Sequence, residues 1–354
     1  MTISKQDGAE LQAAGDHAGN VAHPRGLGRS FFAVFTLEDA LLGAYLAIVS
    51  LLVLCCGTGP NLGAVALRLA ACVAVMVISC VLARATDLPS RLRSVVYRAS
   101  IVGVLVADYL MLRDLLPAVR PDSVDEFLWR LDERLFGGEP SLWLERLNQR
   151  PIVEWFSFFY YSYFFIAFTY MLVAIWLIKP GRLTSEFALG TLIVFCGGQL
   201  GYLAVPGYGP SLYLESHFQG PVDGGFFWGC VVAMVEAGCA MKDIFPSLHT
   251  PVPFWFTLFA FMQARRDERW RWPARITAFF AANIIFSTVF LRWHYAVDVI
   301  AGLALAAAAA ALAPRLAARQ ERFRERLGLG RPWHFPPRHG APIRPAQIRP
   351  HHPP

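Results

Sequence analysis

Long apolar runs alternate with short polar connections along most of this chain. The runs predict about eight transmembrane helices, because a helix needs roughly 20 residues, rising about 1.5 Å each, to cross about 30 Å of hydrocarbon. They lie near residues 38–56, 63–83, 95–116, 153–178, 187–205, 247–264, 274–291 and 295–313. Since only structures that satisfy their own backbone hydrogen bonds span lipid, the pattern indicates an all-α integral membrane protein.

Every other connection between the predicted helices carries a cluster of cations. The clusters are Lys5, Arg25 and Arg29; Arg84, Arg91, Arg93 and Arg98; Lys179 and Arg182; Arg265, Arg266, Arg269, Arg271 and Arg275; and Arg315, Arg319, Arg322, Arg324 and Arg326. Cytoplasmic loops of membrane proteins are enriched in Lys and Arg. The pattern therefore predicts that both termini face the cytoplasm and that the remaining connections, including 206–246, face outward.

The composition also favours lipid as the solvent. The 354 residues are 55% hydrophobic and 16% charged, with a mean hydropathy of +0.42, whereas soluble domains carry about 25% charged residues. The net charge of +6 lies in the clusters between apolar runs and in the tail, so it is an orientation signal, and no nucleic acid is expected as a partner. We expect a disordered cytoplasmic leader at 1–37, a membrane domain at 38–313 and a basic, Pro/His-rich cytoplasmic tail at 314–354.

Seven cysteines are present, and five of them lie within apolar runs, where a thiol is usually a packing residue. Cys230 and Cys239 share one loop on the predicted outer side, and whether they form a disulfide stays open. No spacing is typical of a zinc site, and neither a metal nor another cofactor is expected.

Two short motifs place polar side chains at the ends of apolar runs. Phe245–Thr250 reads Phe-Pro-Ser-Leu-His-Thr, and Leu291–Asp298 reads Leu-Arg-Trp-His-Tyr-Ala-Val-Asp. His294 and Asp298 are four positions apart, so on a helix they would share one face, and the carboxylate would orient the imidazole and stabilise its positive charge. Because His249 begins the sixth predicted helix and His294 the eighth, both lie on the predicted outer side. Ionisable groups this close to hydrocarbon are typical of a functional site.

These motifs resemble the type 2 phosphatidic acid phosphatase superfamily over roughly residues 105–310. The resemblance is closest to the branch of inositol phosphorylceramide synthases and sphingomyelin synthases, which Leu-Asp-x-x-Leu-Phe-Gly-x-x-Pro at 131–140 also resembles. The Lys-x6-Arg-Pro motif of the ordinary phosphatases has no match just upstream of Pro-Ser-Leu-His. In addition, Arg292 stands nearer to His294 than the arginine of their third motif does. Both departures favour the synthase-like branch, and the resemblance implies a six-helix catalytic core at roughly 105–313.

The resemblance also implies a role for each motif residue. His294 falls on the family's nucleophile, with Asp298 orienting it, and His249 falls on the second histidine, which would protonate the leaving group. A neutral imidazole can attack phosphorus and form a phosphohistidine when a carboxylate stabilises the developing charge. Arg292 and the Ser247 hydroxyl, or neighbouring backbone N–H groups at the helix start, would hold the phosphate oxygens, and no metal is needed.

Two further residues are candidates to line the substrate. Tyr208 lies in the Pro/Gly-rich turn Val205–Ser211, which we expect over the site, and Asp108 lies in the third apolar run near its outer end. A helix–helix hydrogen bond would explain Asp108 equally well.

We therefore expect a membrane enzyme that acts on a lipid phosphate or a phospholipid headgroup at the outer leaflet. In one version it passes a headgroup such as phosphoinositol to a lipid alcohol, and in the other it is a lipid phosphate phosphatase that uses water. The two reactions differ in whether a second pocket holds an alcohol and excludes water. A transporter with His294, Asp298 and Asp108 as a proton relay is the alternative from another class. A haem protein with His249 and His294 as axial ligands is a third.

Overall fold

The computed structural model describes residues 35–85, 88–238 and 241–333, and every regular element among them is helical. Most of the predicted leader at 1–37, the tail beyond 333 and Cys239 lie outside these ranges. The helices are α1 (Leu37–Cys56), α2 (Leu62–Ala85), α3 (Ser90–Val119), α4 (Asp125–Phe136), α5 (Pro140–Leu144), α6 (Arg150–Trp176), α7 (Arg182–Ala204), α8 (Pro210–Tyr213), α9 (Phe226–Gly238), α10 (Pro251–Ala264), α11 (Arg271–Phe290) and α12 (Ala296–Arg326). The predicted all-α fold class is confirmed.

Seven of the described helices are long and apolar enough to cross a membrane, so the chain is an integral membrane protein. They are α1, α2, α3, α6, α7, α11 and α12. The predicted span at 247–264 instead forms α10, whose 14 residues extend about 21 Å. Pro251 occupies the first position of α10, where proline is favoured because it has no N–H to donate, and residues 248–250 before it form a turn.

The two ends of the membrane domain meet at the start of α1. α12 continues through Pro314 to Arg326, so the expected boundary at 313 does not coincide with a helix end. Gln320 Nε2 donates to Glu38 Oε2 at 2.9 Å, and the indole of Trp333 donates to Glu38 Oε1 at 3.0 Å. The beginning of α1 and the end of α12 therefore lie at the same end of the bundle.

The opposite end of the bundle carries both motifs. α3, α7 and α11 finish there, and α10 and α12 begin there. The guanidinium of Arg120 joins two of these ends, since it follows α3 and donates to the carbonyl of Leu203 in α7 at 3.0 Å. We call this the motif end. At the other end, Arg266 after α10 pairs with Glu186 near the start of α7 at 3.0 Å.

α7 is the central helix, with α1, α3, α10 and α12 packed around it. Glycine permits the closest approaches between these helices. A Cβ on Gly190 of α7 would lie 2.1 Å from the ring of Trp255, which is fully buried in α10. A Cβ on Gly302 of α12 would lie 2.8 Å from Pro251 and 3.0 Å from Thr250. α12 therefore packs directly against the start of α10, which brings the two motifs together.

We expect Gly190→Ala to destabilise the protein, because the added methyl group meets the Trp255 ring. Overpacking of a core typically costs about 1–3 kcal/mol. Thermal unfolding of the purified protein in detergent, followed by tryptophan fluorescence, should show a lower midpoint. Gly103→Ala in α3 is the matched control, since the space around Gly103 is open and alanine favours a helix by about 0.5–1 kcal/mol. Equal midpoints for the two variants would contradict the close approach at Gly190.

Candidate active site

His294 lies in the tight connection between α11 and α12. Its backbone N–H donates to the carbonyl of Thr288 at 3.1 Å, and the residue is 4% exposed. Its Nδ1 lies 3.0 Å from the carbonyl oxygen of Ile244. Because a carbonyl oxygen only accepts, this hydrogen bond places the proton on Nδ1 and leaves the lone pair on Nε2. Nε2 is thus the ring nitrogen that can attack an electrophile.

Asp298 lies beside His294, as the four-residue spacing predicts, but the two side chains do not form a hydrogen bond. Its Oδ2 lies 3.6 Å from Nδ1 of His294 and accepts instead from the backbone N–H of Tyr295 at 3.0 Å. The reason is that α12 begins at Ala296, so His294 precedes the helix and helical spacing does not apply. The carbonyl of Ile244 orients the imidazole. The buried carboxylate of Asp298 remains near enough to stabilise positive charge on that ring.

His249 lies in the turn before α10 and faces His294, with 6.1 Å between the ring centroids. Its ring stacks on Tyr160 at 4.3 Å and lies 4.2 Å from the ring of Tyr163, both on α6. Its Nε2 is buried and finds no hydrogen-bond partner among the described residues. This nitrogen is therefore placed to exchange a proton with a group held between the two histidines.

Both histidines line a cavity of about 50 Å³. Tyrosines form much of its wall, namely Tyr109, Tyr160, Tyr163, Tyr202 and Tyr208, and Asp243 is its acidic residue. Of the residues that the structure describes, no Arg or Lys lines this cavity, and no three His, Cys, Asp or Glu side chains are grouped to hold a metal ion. The volume suits a small polar group.

Burial controls the ionisation of the groups in this cavity. Desolvation lowers the pKa of His294 to about 4, although the nearby carboxylate of Asp243 acts in the opposite direction. Desolvation, assisted by the charge that His294 would carry, lowers the pKa of His249 well below its usual value. Desolvation also raises the pKa of Asp243. Both imidazoles are therefore neutral at pH 7.

Arg292 does not line this cavity, contrary to its expected role in holding phosphate. Its backbone is left-handed, with φ 66°, and its guanidinium points into the surrounding loops. Nη2 pairs with Glu145 at 3.1 Å, and Nη1 donates to the carbonyl of Gly220 at 2.8 Å. The guanidinium also lies 3.8 Å from the centroid of the Phe218 ring. Arg292 therefore ties these loops together at the motif end.

The other predicted site residues divide between the cavity and the protein core. Tyr208 lines the cavity, as expected. Asp108 does not, because it is fully buried in α3, where the hydroxyl of Tyr45 in α1 donates to its carboxylate. This is the helix–helix hydrogen bond of the alternative interpretation. Ser247 is buried in its motif, and its hydroxyl has no hydrogen-bond partner within the described part of the chain.

Asp132 on α4 holds the first turn of α12. Its carboxylate accepts from the backbone N–H groups of Ala296 and Val297, at 2.6 and 2.8 Å. Such groups have no partner within their own helix, and negative charge is favoured at a helix N-terminus. Desolvation raises the pKa of Asp132 to about 6, while these two hydrogen bonds oppose the shift. Sequence reasoning noted Asp132 only within the 131–140 motif, because the contact joins residues 164 positions apart.

Asp125, at the start of α4, fixes the turn that carries Tyr208. Its carboxylate accepts from the backbone N–H groups of Tyr208 and Gly209, both at 2.8 Å, and from the hydroxyl of Tyr295 at 3.1 Å. Sequence reasoning missed both Asp125 and Asp243. The signal at Asp125 was weak, since an acidic residue in the first turn of a helix is common at any helix start, and Asp243 lies in a segment without regular structure.

Comparisons with known proteins give one match. The family model of the PAP2 superfamily matches residues 126–312, which is more than half of the chain and includes both motifs and Asp132. No curated protein and no solved structure matches the chain.

We expect Asp125→Asn to loosen the turn over the cavity, because an amide has one acceptor oxygen where the carboxylate has two. Hydrogen exchange measured by mass spectrometry should be about tenfold faster or more at Tyr208 and Gly209, since a hydrogen bond to a charged group contributes about 1.5–3 kcal/mol. Asp122→Asn is the control, because its carboxylate is exposed and pairs with Arg120 at 2.9 Å. Unchanged amide hydrogen exchange at Tyr208 and Gly209 in Asp125→Asn would show that the turn is stable without the Asp125 carboxylate.

Proposed function

Because the chain belongs to the PAP2 (type 2 phosphatidic acid phosphatase) superfamily, whose members are phosphatases or phosphotransferases, we propose that it transfers phosphoryl groups or phospho-headgroups of lipids through a phosphohistidine. The observation that carries this proposal is the pair of neutral, buried imidazoles that face each other at 6.1 Å. In that pair, His294 presents an unprotonated Nε2. The resemblance to the superfamily is confirmed, and the synthase-like branch stays a prediction.

In the first step, Nε2 of His294 attacks phosphorus and the bond from phosphorus to the leaving oxygen breaks. Positive charge then develops on the imidazole. The carbonyl of Ile244 accepts from Nδ1–H and so strengthens its interaction as that charge grows, while the carboxylates of Asp298 and Asp243 stabilise it electrostatically. The alcohol that departs needs a proton.

His249 supplies that proton in this mechanism. In the empty cavity desolvation keeps His249 neutral, so it becomes a strong donor only when a bound phosphate anion favours its charged form. In the second step an acceptor oxygen attacks phosphorus, gives its proton back to His249 and releases His294. Proton supply is thus linked to substrate binding.

The phosphate oxygens need partners other than arginine in this cavity. Tyrosine hydroxyls from the cavity wall are suited to donate to them, and the Ser247 hydroxyl beside the motif has its hydrogen-bonding capacity unused among the described residues. Neutral donors hold a phosphodiester of single charge more readily than a phosphomonoester of double charge. This favours a headgroup donor such as a phospholipid.

A second cavity supports transfer over hydrolysis. It measures about 470 Å³ and shares Leu212, Val235, Met241 and Trp293 with the histidine cavity. Its other lining residues are mostly apolar, namely Phe218, Val222, Trp228, Val232 and Leu291, and its polar lining residues include Ser211, Glu215, Glu236 and Arg292. An apolar cavity that adjoins the reacting groups can hold a lipid alcohol and keep water away.

The expected orientation places the motif end on the extracytoplasmic face. Two features support it. The start of α1 and the end of α12 lie together at the opposite end, joined through Glu38 and Gln320. The cationic connections with Arg84, Lys179 and Arg266 lie at that opposite end as well, as the distribution of Lys and Arg in cytoplasmic loops requires.

We expect purified protein to convert labelled phosphatidylinositol or phosphatidic acid into a new phospholipid only when an acceptor is added, either ceramide or a diacylglycerol whose acyl chains differ from those of the donor. Thin-layer chromatography measures the product. His294→Ala should abolish the reaction, and His249→Ala should slow it by about 10²–10⁴-fold, the usual contribution of a general acid. His217→Ala, an exposed histidine beside Trp129, is the control and should be fully active. Free phosphate as the sole product would identify a phosphatase, and full activity of His294→Ala would refute the nucleophile.

We expect kcat/KM to rise as the pH falls below about 7, because the neutral His249 must take up a proton when the phosphate binds, and to fall again as the pH approaches about 4, the value of the His294 pKa. The fall follows from the mechanism, because protonation of His294 removes the lone pair of Nε2. Tryptophan fluorescence at each pH controls for unfolding. A decline centred near pH 6.5 would instead indicate an ordinary, solvated histidine.

A further inference from the structure

We propose that a groove at the end of the bundle opposite to the motif end binds the headgroup of an anionic phospholipid. The groove lies between the start of α3 and the connection from α6 to α7, and its volume is about 530 Å³. Its polar walls come from Ser90, Arg91, Ser94, Arg98 and Lys179. No Asp or Glu among the described residues lines it, so its field favours an anion.

Arg98 is a buried arginine of this groove whose guanidinium has unused hydrogen-bond donors among the described residues. It is 6% exposed, and its Nη1 donates to the carbonyls of Ala174 and Ile178 at the end of α6, at 2.8 and 2.7 Å. Its Nε and Nη2 are buried and have no hydrogen-bond partner in the described part of the chain. Leaving donors of a buried guanidinium unused is costly, and phosphate oxygens match their paired geometry.

The start of α3 adds to this preference. The residue before the helix is Pro89, whose side chain has no polar atom to cap the first turn. The free N–H groups of a first turn and the helix dipole both favour negative charge. The hydroxyls of Ser90 and Ser94 lie in the same wall. The groove therefore combines cations, hydroxyl groups and a helix start on one face.

Apolar side chains at the margin favour a lipid over a free anion. Trp176 and Leu177 line the groove and are 59% and 73% exposed. They lie at the end of a membrane-spanning helix, where an interfacial tryptophan meets headgroups and acyl chains. A phospholipid can place its phosphate beside Arg91 and Lys179 and its chains against these two residues.

The C-terminal segment 334–354 is not expected to bind in this groove, because both carry positive charge. Trp333 lines the groove, and residues 334–354 follow it. That segment contains Arg338, Arg344 and Arg349 and no Asp or Glu. A cationic segment is repelled by a cationic groove, whereas an anionic headgroup is attracted, by about 1 kcal/mol per Lys or Arg near the membrane surface.

Native mass spectrometry of the full chain in detergent tests this site. We expect phosphatidylglycerol to bind more tightly than phosphatidylcholine. The double variant Arg91→Gln/Lys179→Gln should weaken phosphatidylglycerol about 25-fold, about fivefold per cation removed. Both side chains are exposed, so the variant should fold. Arg275→Gln, an exposed arginine at the same end but outside the groove, is the matched control and should bind normally.

Three results would overturn the proposal. Equal binding of the two lipids would remove the preference for an anion, and an unaffected double variant would move the anion site elsewhere. A third result would be displacement of phosphatidylglycerol by inorganic phosphate at equal concentration, together with normal binding of phosphate and phosphatidylglycerol to Trp176→Ala. The ligand would then be a free anion and not a lipid. Binding is measured without turnover, so none of these results depends on the reaction at the histidines.

Discussion

The hydrogen bonds between the carboxylate of Asp132 and the first amides of α12 set the geometry at the motif end. α4 buries acidic side chains and exposes apolar ones. Its acidic residues Asp125 and Asp132 are buried against the protein, while Phe127 and Leu135 are exposed. In lipid, the burial of apolar side chains contributes little free energy to helix packing, because the lipid tails are equally apolar. Polar contacts therefore decide how such a helix packs against the protein. A short helix outside the spanning set thereby positions the loop of His294 and the turn of Tyr208.

Burial is the second constraint on this site. A solvated histidine would be partly protonated near neutral pH, and a protonated ring cannot act as a nucleophile. Enclosing both rings among tyrosines keeps them neutral, but it also removes the ready proton that a leaving group needs. An anionic ligand reverses that situation at His249 because it brings its own negative charge. In the proposed mechanism, part of the binding energy of the phosphate therefore drives the protonation of His249.

The sequence predicted the spanning helices well, because lipid imposes a length and composition that can be recognised one segment at a time. α1 was expected at 38–56 and lies at Leu37–Cys56. It also predicted that His249 and His294 share one end of the bundle. It could not predict what surrounds them, since Asp132, Asp125 and the carbonyl of Ile244 act across long separations in the chain. The surroundings of Asp298 and Arg292 could not be predicted for a local reason: α12 starts after His294, and the backbone of Arg292 is left-handed, with its guanidinium paired to Glu145.

Gly302 gives the site a property that the chemistry alone does not reveal. Because no side chain separates α12 from Thr250 and Pro251 at that point, the close contact there fixes the separation of the two motifs. The residues of α12 that face away from α10 are then free to change with little effect on that spacing. Over evolution, such a chain can vary its outer surface while the distance between the two motifs stays constant.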